Sequence, residues 1–305
     1  MKHFPKTKIG IVLLAAIVTA LTISCMSNSQ TSQQRDEHKD KSIGQQQFPE
    51  QELGWSLSAQ TYTFKEFSFF EAVDKAKSSG LLSVEAYNGQ ELGGGLTGKF
   101  EFKMDTVTRQ AVLQQLDDKG MALVAFGVVN GDTDEEWEQL FAFAHTMGIK
   151  TINTEPKEEF LPLVGRLANQ YQIKVGIHNH PKPTPYWDPA IVLAAADKAD
   201  SKYVGACADI GHWVRSGLDP VECLKQLEGR VVSVHFKDLA EEAPKTHDVH
   251  WGTGVSNVPG VIAELKRQGF NGNISAEYEY NWENNAGDVA QSVKNFRQIL
   301  TTGSL

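Results

Sequence analysis

Histidines and carboxylates cluster in the second half of the chain, in a pattern that suits metal binding. Six of the nine histidines lie between residues 178 and 250. Four motifs, each at the end of an apolar run, carry them together with acids: IHNHP from 177, ADIGHW from 208, SVHFKD from 233 and SAEYEY from 275. Imidazoles and carboxylates together form a mixed ligand set that suits Mn, Zn, Co or Fe(II) rather than Mg or Ca. We predict that two histidines and two carboxylates from these four motifs converge on one divalent metal ion, and the candidates are His178, His180, Asp209, His212, His235, Asp238, Glu277 and Glu279.

Each of these residues has an ordinary structural explanation when it is taken alone. A single histidine at a strand end is more often a hydrogen-bonded structural residue than a ligand, and Asp209 could simply cap a helix that holds His212. A buried carboxylate, however, is costly unless it is paired or bound to a metal. Asp209 follows the run GACA and Glu277 follows ISA, so both leave apolar strands. The joint pattern favours the metal site.

The elements that must position these motifs alternate between short β-branched or apolar runs and longer segments of helical period. Eight strands are predicted: Gly54–Ala59, Leu82–Tyr87, Met121–Val129, Ile149–Thr154, Ile173–His178, Tyr203–Asp209, Val231–Phe236 and Asn273–Glu279. Eight helices are predicted to follow them: 66–79, 105–119, 134–147, 158–170, 188–198, 219–228, 258–268 and 286–301. Eight strand–helix pairs with short connections indicate parallel strands, and about 255 residues is the usual size of a (β/α)8-barrel. In such a barrel the site lies at the carboxyl ends of the strands, where the motifs fall.

A doubly wound open sheet is the alternative architecture. No G-x-G-x-x-G phosphate loop follows the first predicted strand, and the polar residues gather at the ends of many strands rather than at one switch point. The run Gly93–Gly95 follows the second strand, and because no helix starts directly after it we interpret it as a flexible loop at the barrel mouth. We therefore predict an α/β protein, a single-domain (β/α)8 TIM barrel over residues 51–305.

Beyond these patterns, the run from about 173 to 282 resembles the xylose-isomerase-like barrel superfamily. The resemblance is carried by VGACADIGHW, VVSVHFKD, HWGTG and LKRQGFNGNISAEYEY, and it extends more weakly over residues 51–305. That superfamily includes sugar isomerases and epimerases, inosose dehydratases and apurinic endonucleases. The resemblance implies a metal-dependent TIM barrel enzyme, and it is specific for the superfamily rather than for a substrate.

The resemblance also assigns roles to single residues. Asp209, His235 and Glu277 match three of the four metal ligands of the sugar epimerases, and His212 matches their substrate-contacting histidine. Their first ligand is a glutamate at the end of the fifth strand, where this chain has His178. Because the two glutamates of those enzymes also form the acid/base pair, this chain keeps Glu277 as a catalytic residue and lacks its symmetric partner.

Two roles are open for the histidine at the end of the fifth strand. His178 can bind the metal in place of glutamate, or act as a catalytic general base because its unperturbed pKa is near neutral. His180 points to the same side of an ideal strand, so it is either the ligand instead or a partner of His178.

Further residues at the ends of the strands are candidates for substrate binding: His212, Lys237, His180, Glu155, Asp248, His250 and Trp251. Asp248 and His250 lie in THDVH, which is similar to the Asp-x-His pair of the DNA-repair branch. Glu155, and Glu85 after the second strand, could equally be solvated loop charges. Four tryptophans follow strands five to eight, where they either stack on a sugar or pack loops together: Trp187, Trp213, Trp251 and Trp282.

These residues support a metal-dependent isomerase or epimerase that acts on a sugar, keto-sugar or related polyol through an enediolate-type intermediate. In this hypothesis Glu277 moves the proton with His178 as its possible partner, and Lys237 or His212 holds substrate oxygens. A lyase or dehydratase of the inosose type is an alternative that uses the same metal and expels a β-hydroxyl. A non-catalytic carbohydrate-binding barrel without metal is the third hypothesis.

The charge balance and the amino terminus define the expected surroundings. A formal net charge of −9 argues against nucleic acid as a partner, which needs a basic stripe, and a small sugar or polyol fits better. Lysines at 2, 6 and 8 precede the apolar run Ile9–Ile23, which is typical of an export signal. The small residue before Cys25 resembles a lipobox, although a plain signal peptide that contains a cysteine is the alternative.

We therefore predict a signal peptide over residues 1–24, followed by a lipidated Cys25 and a disordered polar linker over residues 25–50. The protein is expected to be exported, as a periplasmic or cell-surface lipoprotein. In this interpretation its lipid anchor is its one contact with the membrane.

Overall fold

Short apolar strands pair in parallel in the computed structural model, which describes Met1 and residues 48–305. Ten strands occur in the described part: β1 Ser56–Gln60, β2 Ser83–Ala86, β3 Gln90–Gly93, β4 Leu96–Phe100, β5 Ala122–Phe126, β6 Thr151–Thr154, β7 Lys174–His178, β8 Val204–Asp209, β9 Val231–Phe236 and β10 Asn273–Ala276. Eight of them form a closed barrel in the order β1-β10-β9-β8-β7-β6-β5-β2, in which β2 returns to pair with β1. The predicted (β/α)8 barrel is confirmed, and the closure excludes the doubly wound open sheet.

Helices cover the outside of this barrel. Ten are present among the described residues: α1 Pro49–Glu52, α2 Phe69–Ser78, α3 Thr106–Asp118, α4 Asp134–Thr146, α5 Leu161–Tyr171, α6 Pro189–Lys198, α7 Ile210–Arg215, α8 Pro220–Gln226, α9 Val258–Arg267 and α10 Ala286–Thr302. Helix α9 shows why they form: Val258, Val261, Ile262 and Leu265 recur at helical spacing and are buried. Asn257 begins it by accepting a hydrogen bond from the backbone N–H of Gly260 at 3.2 Å.

The inside of the barrel is unusually polar beneath its mouth. Ser233 donates to Asn153 Oδ1 at 2.6 Å, and the hydroxyls of Ser58 and Ser275 lie 2.9 Å apart, all of them buried. Gly176 on β7 leaves room for this layer, because a Cβ there would lie 2.4 Å from Asn153 Oδ1. Inward-facing side chains of several strands thus form a hydrogen-bonded floor instead of the branched apolar layers common in such barrels.

Two elements differ from the sequence predictions. Residues 90–100 form the antiparallel hairpin β3–β4, so the flexible mouth loop predicted for Gly93–Gly95 is wrong. These glycines make the hairpin turn with φ of +66°, +59° and +82°, a left-handed conformation that glycine adopts without a steric penalty. The short helix α7 follows Asp209 directly and was also not predicted.

The ordered domain begins slightly before the predicted boundary at residue 51. Pro49–Glu52 already form α1, and Glu50 is 2% exposed and paired with Arg297 at 2.7 Å. The predictions of a signal peptide, a lipidated Cys25 and most of the linker concern residues 2–47, which lie outside the described residues. Within the described part of the chain, no helix is both long and apolar enough to span a membrane.

Candidate metal centre

The four predicted metal ligands meet at one side of the barrel mouth. His178 and Asp209 end β7 and β8, His235 lies near the end of β9, and Glu277 directly follows β10. These four strands are consecutive neighbours in the barrel. Ligand atoms of the four residues lie within 4.8 Å of one another, and all four residues are buried. The fold therefore brings together two imidazoles and two carboxylates that are far apart in the sequence.

The unpaired atoms of this cluster indicate that it can hold a cation. Nε2 of His178 and Nδ1 of His235 are buried and make no hydrogen bond with any described residue. They lie 3.5 Å from Asp209 Oδ2 and 2.9 Å from Glu277 Oε2. Each ring nitrogen thus faces a carboxylate oxygen inside one buried cluster, as expected of ligand atoms directed at a common cation. The donor set of two nitrogens and two oxygens fits a divalent transition metal.

Lys237 supplies positive charge to the same carboxylates. Its fully buried ammonium donates to Asp209 Oδ2 at 2.6 Å and contacts Glu277 Oε2. Burial alone would lower the pKa of Lys237, but Asp209 and Glu277 raise it well above its ordinary value. Burial would likewise raise the pKa of Asp209, but the ammonium of Lys237 holds it well below its usual range. The carboxylates are therefore ionised, as metal ligands must be.

Glu155, at the end of β6, lies behind the first imidazole. Its Oε1 lies 2.9 Å from His178 Nδ1 and also contacts His180 Nδ1. Burial raises the pKa of Glu155, but the hydrogen bonds from the two histidines outweigh this and lower it to about 2. Glu155 and His180, both predicted to bind substrate, therefore contact each other. His180 keeps a side chain that is 43% exposed, whereas His178 is enclosed.

The Asp-x-x-His spacing has both a structural and a functional explanation. Asp209 Oδ1 accepts a hydrogen bond from the backbone N–H of His212 at 2.8 Å and so begins α7, while Asp209 Oδ2 faces the cluster. Arg215 donates to His212 Nδ1 at 3.2 Å. Burial is the main reason why the pKa of His212 lies well below its ordinary value. His212 is therefore neutral, with its remaining ring proton on Nε2, which lies 3.5 Å from Asp209 Oδ2.

Arg215 organises a second group of charges beside the cluster, and sequence reasoning missed it. Its guanidinium donates to Glu279 at 2.6 Å and to Asp248 at 3.3 Å. Asp248 was predicted to bind substrate, but it is 1% exposed and engaged by Arg215. No sequence signal marks Arg215, because its partners lie 33 and 64 residues away.

Three further expectations about rim residues need correction. Trp251 is 1% exposed and packs its ring at 4.8 Å from that of Phe236, which favours the packing alternative over contact with a sugar. His250 pairs with Asp288 on α10 at 3.0 Å and is not part of the cluster. Glu85 is completely buried inside the barrel rather than solvated at its rim.

Residues inside the barrel complete the site below the ligands. Glu85 Oε1 lies 3.0 Å from His235 Nε2, and it also accepts from Asn153 at 2.7 Å and from Gln60 at 3.3 Å. Sequence reasoning missed Gln60 and Asn153. The available signal was a polar residue within, or at the end of, an otherwise apolar strand, which predicts an inward-facing hydrogen bond.

Taken together, the fold and the site define a (β/α)8 barrel with a candidate metal centre of two histidines and two carboxylates at its mouth. The chain belongs to the xylose isomerase-like TIM barrel family, which matches residues 73–299. The superfamily resemblance noted in the sequence is thereby confirmed.

The chain is similar to proteins named as inosose dehydratases. An inosose dehydratase 2 of Bacillus cereus is 30% identical over 135 residues, which are 42% of this chain and 39% of the length of that enzyme. An inosose dehydratase of Lacticaseibacillus casei is 24% identical over 273 residues, which cover 74% of this chain and 87% of the enzyme. The match to the Bacillus cereus protein thus spans well under half of that relative.

Solved structures confirm the architecture. A crystal structure of an uncharacterized protein from Parabacteroides distasonis ATCC 8503 is 35% identical, with a TM-score of 0.65, and covers 80% of this chain and 98% of its own. The structure of the IolI protein with a bound zinc atom has a TM-score of 0.62 at 15% identity, and covers 82% of this chain and 99% of its own. At that identity the second likeness concerns the fold alone.

Proposed function

We propose that this protein is a metal-dependent lyase of the dehydratase type that acts on a keto-polyol or keto-sugar. It removes a proton from the carbon next to the carbonyl and expels a β-hydroxyl as water. A divalent cation held by His178, Asp209, His235 and Glu277 would polarise the carbonyl and stabilise the negative charge that develops on its oxygen. The similarity to inosose dehydratases supports this substrate class.

The observation that carries the proposal is the enclosure of His178. Its Nδ1 is engaged by Glu155, its Nε2 faces Asp209 inside the cluster, and the residue is 1% exposed. An epimerase that exchanges protons on both faces of a carbon needs two acid/base groups on opposite sides. With Nδ1 held by Glu155 and Nε2 assigned to the metal, His178 has no ring nitrogen left for that role, so in this proposal it is a ligand and not a catalytic base. The geometry favours a reaction that needs one base.

Glu277 is the base in this proposal. Its contacts with Lys237 and His235 all use Oε2, so Oε1 is available to take a proton from the substrate. In a general-base role this carboxylate contributes typically 10²–10⁴-fold to the rate. Lys237 holds Glu277 in its ionised form, because the nearby ammonium opposes the effect of burial and lowers the pKa of that carboxyl.

The proposed step balances without a further reactant. Glu277 accepts the proton from carbon, the electron pair of that C–H bond moves into a new carbon–carbon double bond, and the bond from the β-carbon to its oxygen breaks. The hydroxyl leaves with the proton as water, which regenerates the carboxylate. The Nε2–H of His212 is placed to donate a hydrogen bond to a substrate oxygen during this step.

An isomerase is the second candidate, supported by the same single base. A base that moves a proton between neighbouring carbons on one face of an enediol serves an aldose–ketose isomerase equally well. Solved structures of a D-tagatose 3-epimerase-like protein and an L-ribulose 3-epimerase share the fold.

Product mass separates these candidates. The full chain, loaded in turn with Mn²⁺, Zn²⁺ or Co²⁺, is incubated in D₂O with a keto-inositol and with a panel of keto-hexoses. We expect a product that has lost one water. A product of unchanged composition that takes up deuterium would replace the lyase with the isomerase. Sugar affinity without turnover under every metal would reject both in favour of a binding protein.

The role of Glu277 is tested by Glu277→Gln, which keeps the shape and one ligand oxygen. We expect kcat to fall by about 10²–10⁴-fold while the bound metal, measured by plasma mass spectrometry, remains. Glu283→Gln is the matched control, because Glu283 is an exposed glutamate six residues further along, and it should leave kcat unchanged. Full activity in Glu277→Gln would remove Glu277 from the mechanism.

A further inference from the structure

Glu85 is a carboxylate buried completely within the barrel. It lies at the inward face of β2 and is 0% exposed. Four side chains direct hydrogen-bonding groups at it: Gln60, Asn153, His235 and Ser275. No described Lys or Arg contacts this carboxylate, so hydrogen bonds rather than an ammonium or guanidinium balance its burial. A buried carboxyl group is costly unless its oxygens are hydrogen-bonded, and both oxygens of Glu85 are.

The contact with His235 determines which ring nitrogen faces the candidate metal centre. Glu85 Oε1 lies 3.0 Å from His235 Nε2. The same Oε1 accepts from the amide N–H groups of Asn153 and Gln60, so it acts as an acceptor here and the Nε2–H of His235 is the donor. In the neutral form that binds a metal, the lone pair is then on Nδ1, the buried atom that lies 2.9 Å from Glu277 Oε2. The opposite tautomer would point an N–H into the cluster.

The surroundings hold Glu85 in this position. Asn153 Nδ2 donates to Glu85 Oε1 at 2.7 Å, and the amide of Asn153 is itself fixed because its Oδ1 accepts from Ser233 at 2.6 Å. Gly176 provides the space for the Asn153 side chain, as described for the barrel floor. On the other side, Ser275 donates to Glu85 Oε2. Five strands thus contribute residues to the placement of one carboxylate: β1, β2, β6, β9 and β10.

We propose that Glu85 is a positioning residue that fixes the tautomer of His235 and strengthens its Nδ1 as a metal ligand. The inference rests on the metal site of the proposed function. Residues that orient metal-binding histidines in this way typically contribute 10–100-fold to metal affinity. Glu85 does not touch the substrate in this role and acts only through His235.

Metal affinity tests the proposal without relying on turnover. Co²⁺ binding to the full chain is measured by competition with a chelating dye, and the visible absorption of bound Co²⁺ reports the ligand set. Glu85→Gln keeps the shape and removes the charge, and we expect it to bind Co²⁺ about 10–100-fold more weakly. Glu85→Asp keeps the charge but withdraws the acceptor from Nε2, and it should also bind weakly with an altered spectrum. This second variant is informative even if the first does not fold.

Glu50→Gln is the matched control, because Glu50 is equally enclosed at 2% exposure but lies at the other end of the barrel. It should lower the unfolding temperature without changing Co²⁺ affinity. Affinity within twofold of the parent in both Glu85 variants, or an equal loss in Glu50→Gln, would overturn the proposal. A parent that binds no Co²⁺ would overturn it together with the metal site. Weakened binding in both Glu85 variants, with no turnover of any keto-polyol, would support it while rejecting the proposed reaction.

Discussion

Asp248 is a buried carboxyl group whose two oxygens have unequal surroundings. Oδ2 lies 3.3 Å from Arg215, whereas Oδ1 is buried without a hydrogen-bond partner in the described part of the chain. Burial is the largest influence and raises the pKa of Asp248 to about 8, although Lys237 and Arg215 oppose it. The folded protein therefore holds a proton on Asp248 at neutral pH. This agrees with the surroundings of Oδ1, which no hydrogen-bond donor in the described part of the chain reaches.

This proton makes stability depend on pH in a defined direction. The carboxyl of the unfolded chain titrates near its ordinary pKa of 3.8. Between that pH and about 8, the folded state binds a proton on Asp248 that the unfolded state has lost. The contribution of Asp248 to the free energy of unfolding therefore falls as pH rises through this range, and it levels off above about pH 8. Asp248→Asn cannot ionise, and we expect its urea midpoint to fall less than that of the parent between about pH 5 and pH 9.

The exposed Asp132 offers a control for this experiment. Asp132→Asn should follow the pH dependence of the parent. If Asp248→Asn also runs parallel to the parent over the whole interval, then Asp248 is ionised in the folded protein and the assignment of its proton is wrong.

Single residues differed in how far the sequence could predict them. The metal ligands were predictable because each follows an apolar run at a strand end, and parallel strands bring such ends together. Glu85 and His235 are 150 residues apart, and no local pattern shows that the carboxylate turns inward. The sequence left two alternatives open for Trp251, because a position after a strand can face either the mouth or the packed helices, and its packing partner Phe296 lies on α10.

Helices α1 and α10 are joined by one buried ion pair. Arg297 Nη2 donates to Glu50 Oε1 at 2.7 Å and to the carbonyl of Gly80 at 3.0 Å. Glu50 is 2% exposed. Removing one partner of a buried pair leaves an uncompensated charge, which typically destabilises a protein by about 3–5 kcal/mol. The pair therefore holds two distant parts of the chain together beneath the barrel.

We expect Arg297→Met to lower the free energy of unfolding by about 3 kcal/mol, measured by urea titration of the metal-free protein. Lys198→Met is a useful comparison, because the pair between Lys198 and Glu158 is largely exposed and should contribute little. Metal affinity should be unchanged in both. Equal unfolding midpoints for Arg297→Met and the parent would show that the buried pair does not stabilise this junction.

At the level of elements, long periodic segments were predicted well and short ones were not. The eight barrel strands and eight of the helices lie close to their predicted positions. The hairpin strands β3 and β4 have four and five residues around a glycine turn, and α7 has six residues. None of these elements is long enough to show a clear repeat of apolar residues in the sequence. The hairpin follows the barrel strand β2, and α7 follows the barrel strand β8. At these positions tertiary contacts, rather than the local preferences of the residues, determine the conformation.

At the scale of the whole molecule, the sequence predicts attachment to a membrane of the cell envelope. The sequence predicts a lipid anchor at Cys25, and we propose that the protein is exported and held at a membrane through it. Cys25→Ser should move the protein from the membrane fraction to the soluble fraction of the same cell envelope compartment. The measurement is immunoblotting after fractionation of the source organism or of a bacterial host, with Ser24→Ala, which keeps a small residue before the cysteine, as control.

Retention of the Cys25→Ser protein with membranes would reject the lipid anchor. Release of both variants would show that membrane attachment does not depend on the cysteine. The barrel itself should keep its Co²⁺ affinity in either fraction, because all four candidate ligands lie between residues 178 and 277.

The position of α1 determines at which end of the barrel a preceding segment is attached. Phe48, Glu50 and Gln51 line a cavity together with the first residues of β1 and β2, so the chain enters the barrel at the end opposite its mouth. Anything joined before residue 48 is attached at this base. A linker or fusion partner placed before residue 48 is therefore joined to the barrel at the end remote from the four ligands, which lie between residues 178 and 277.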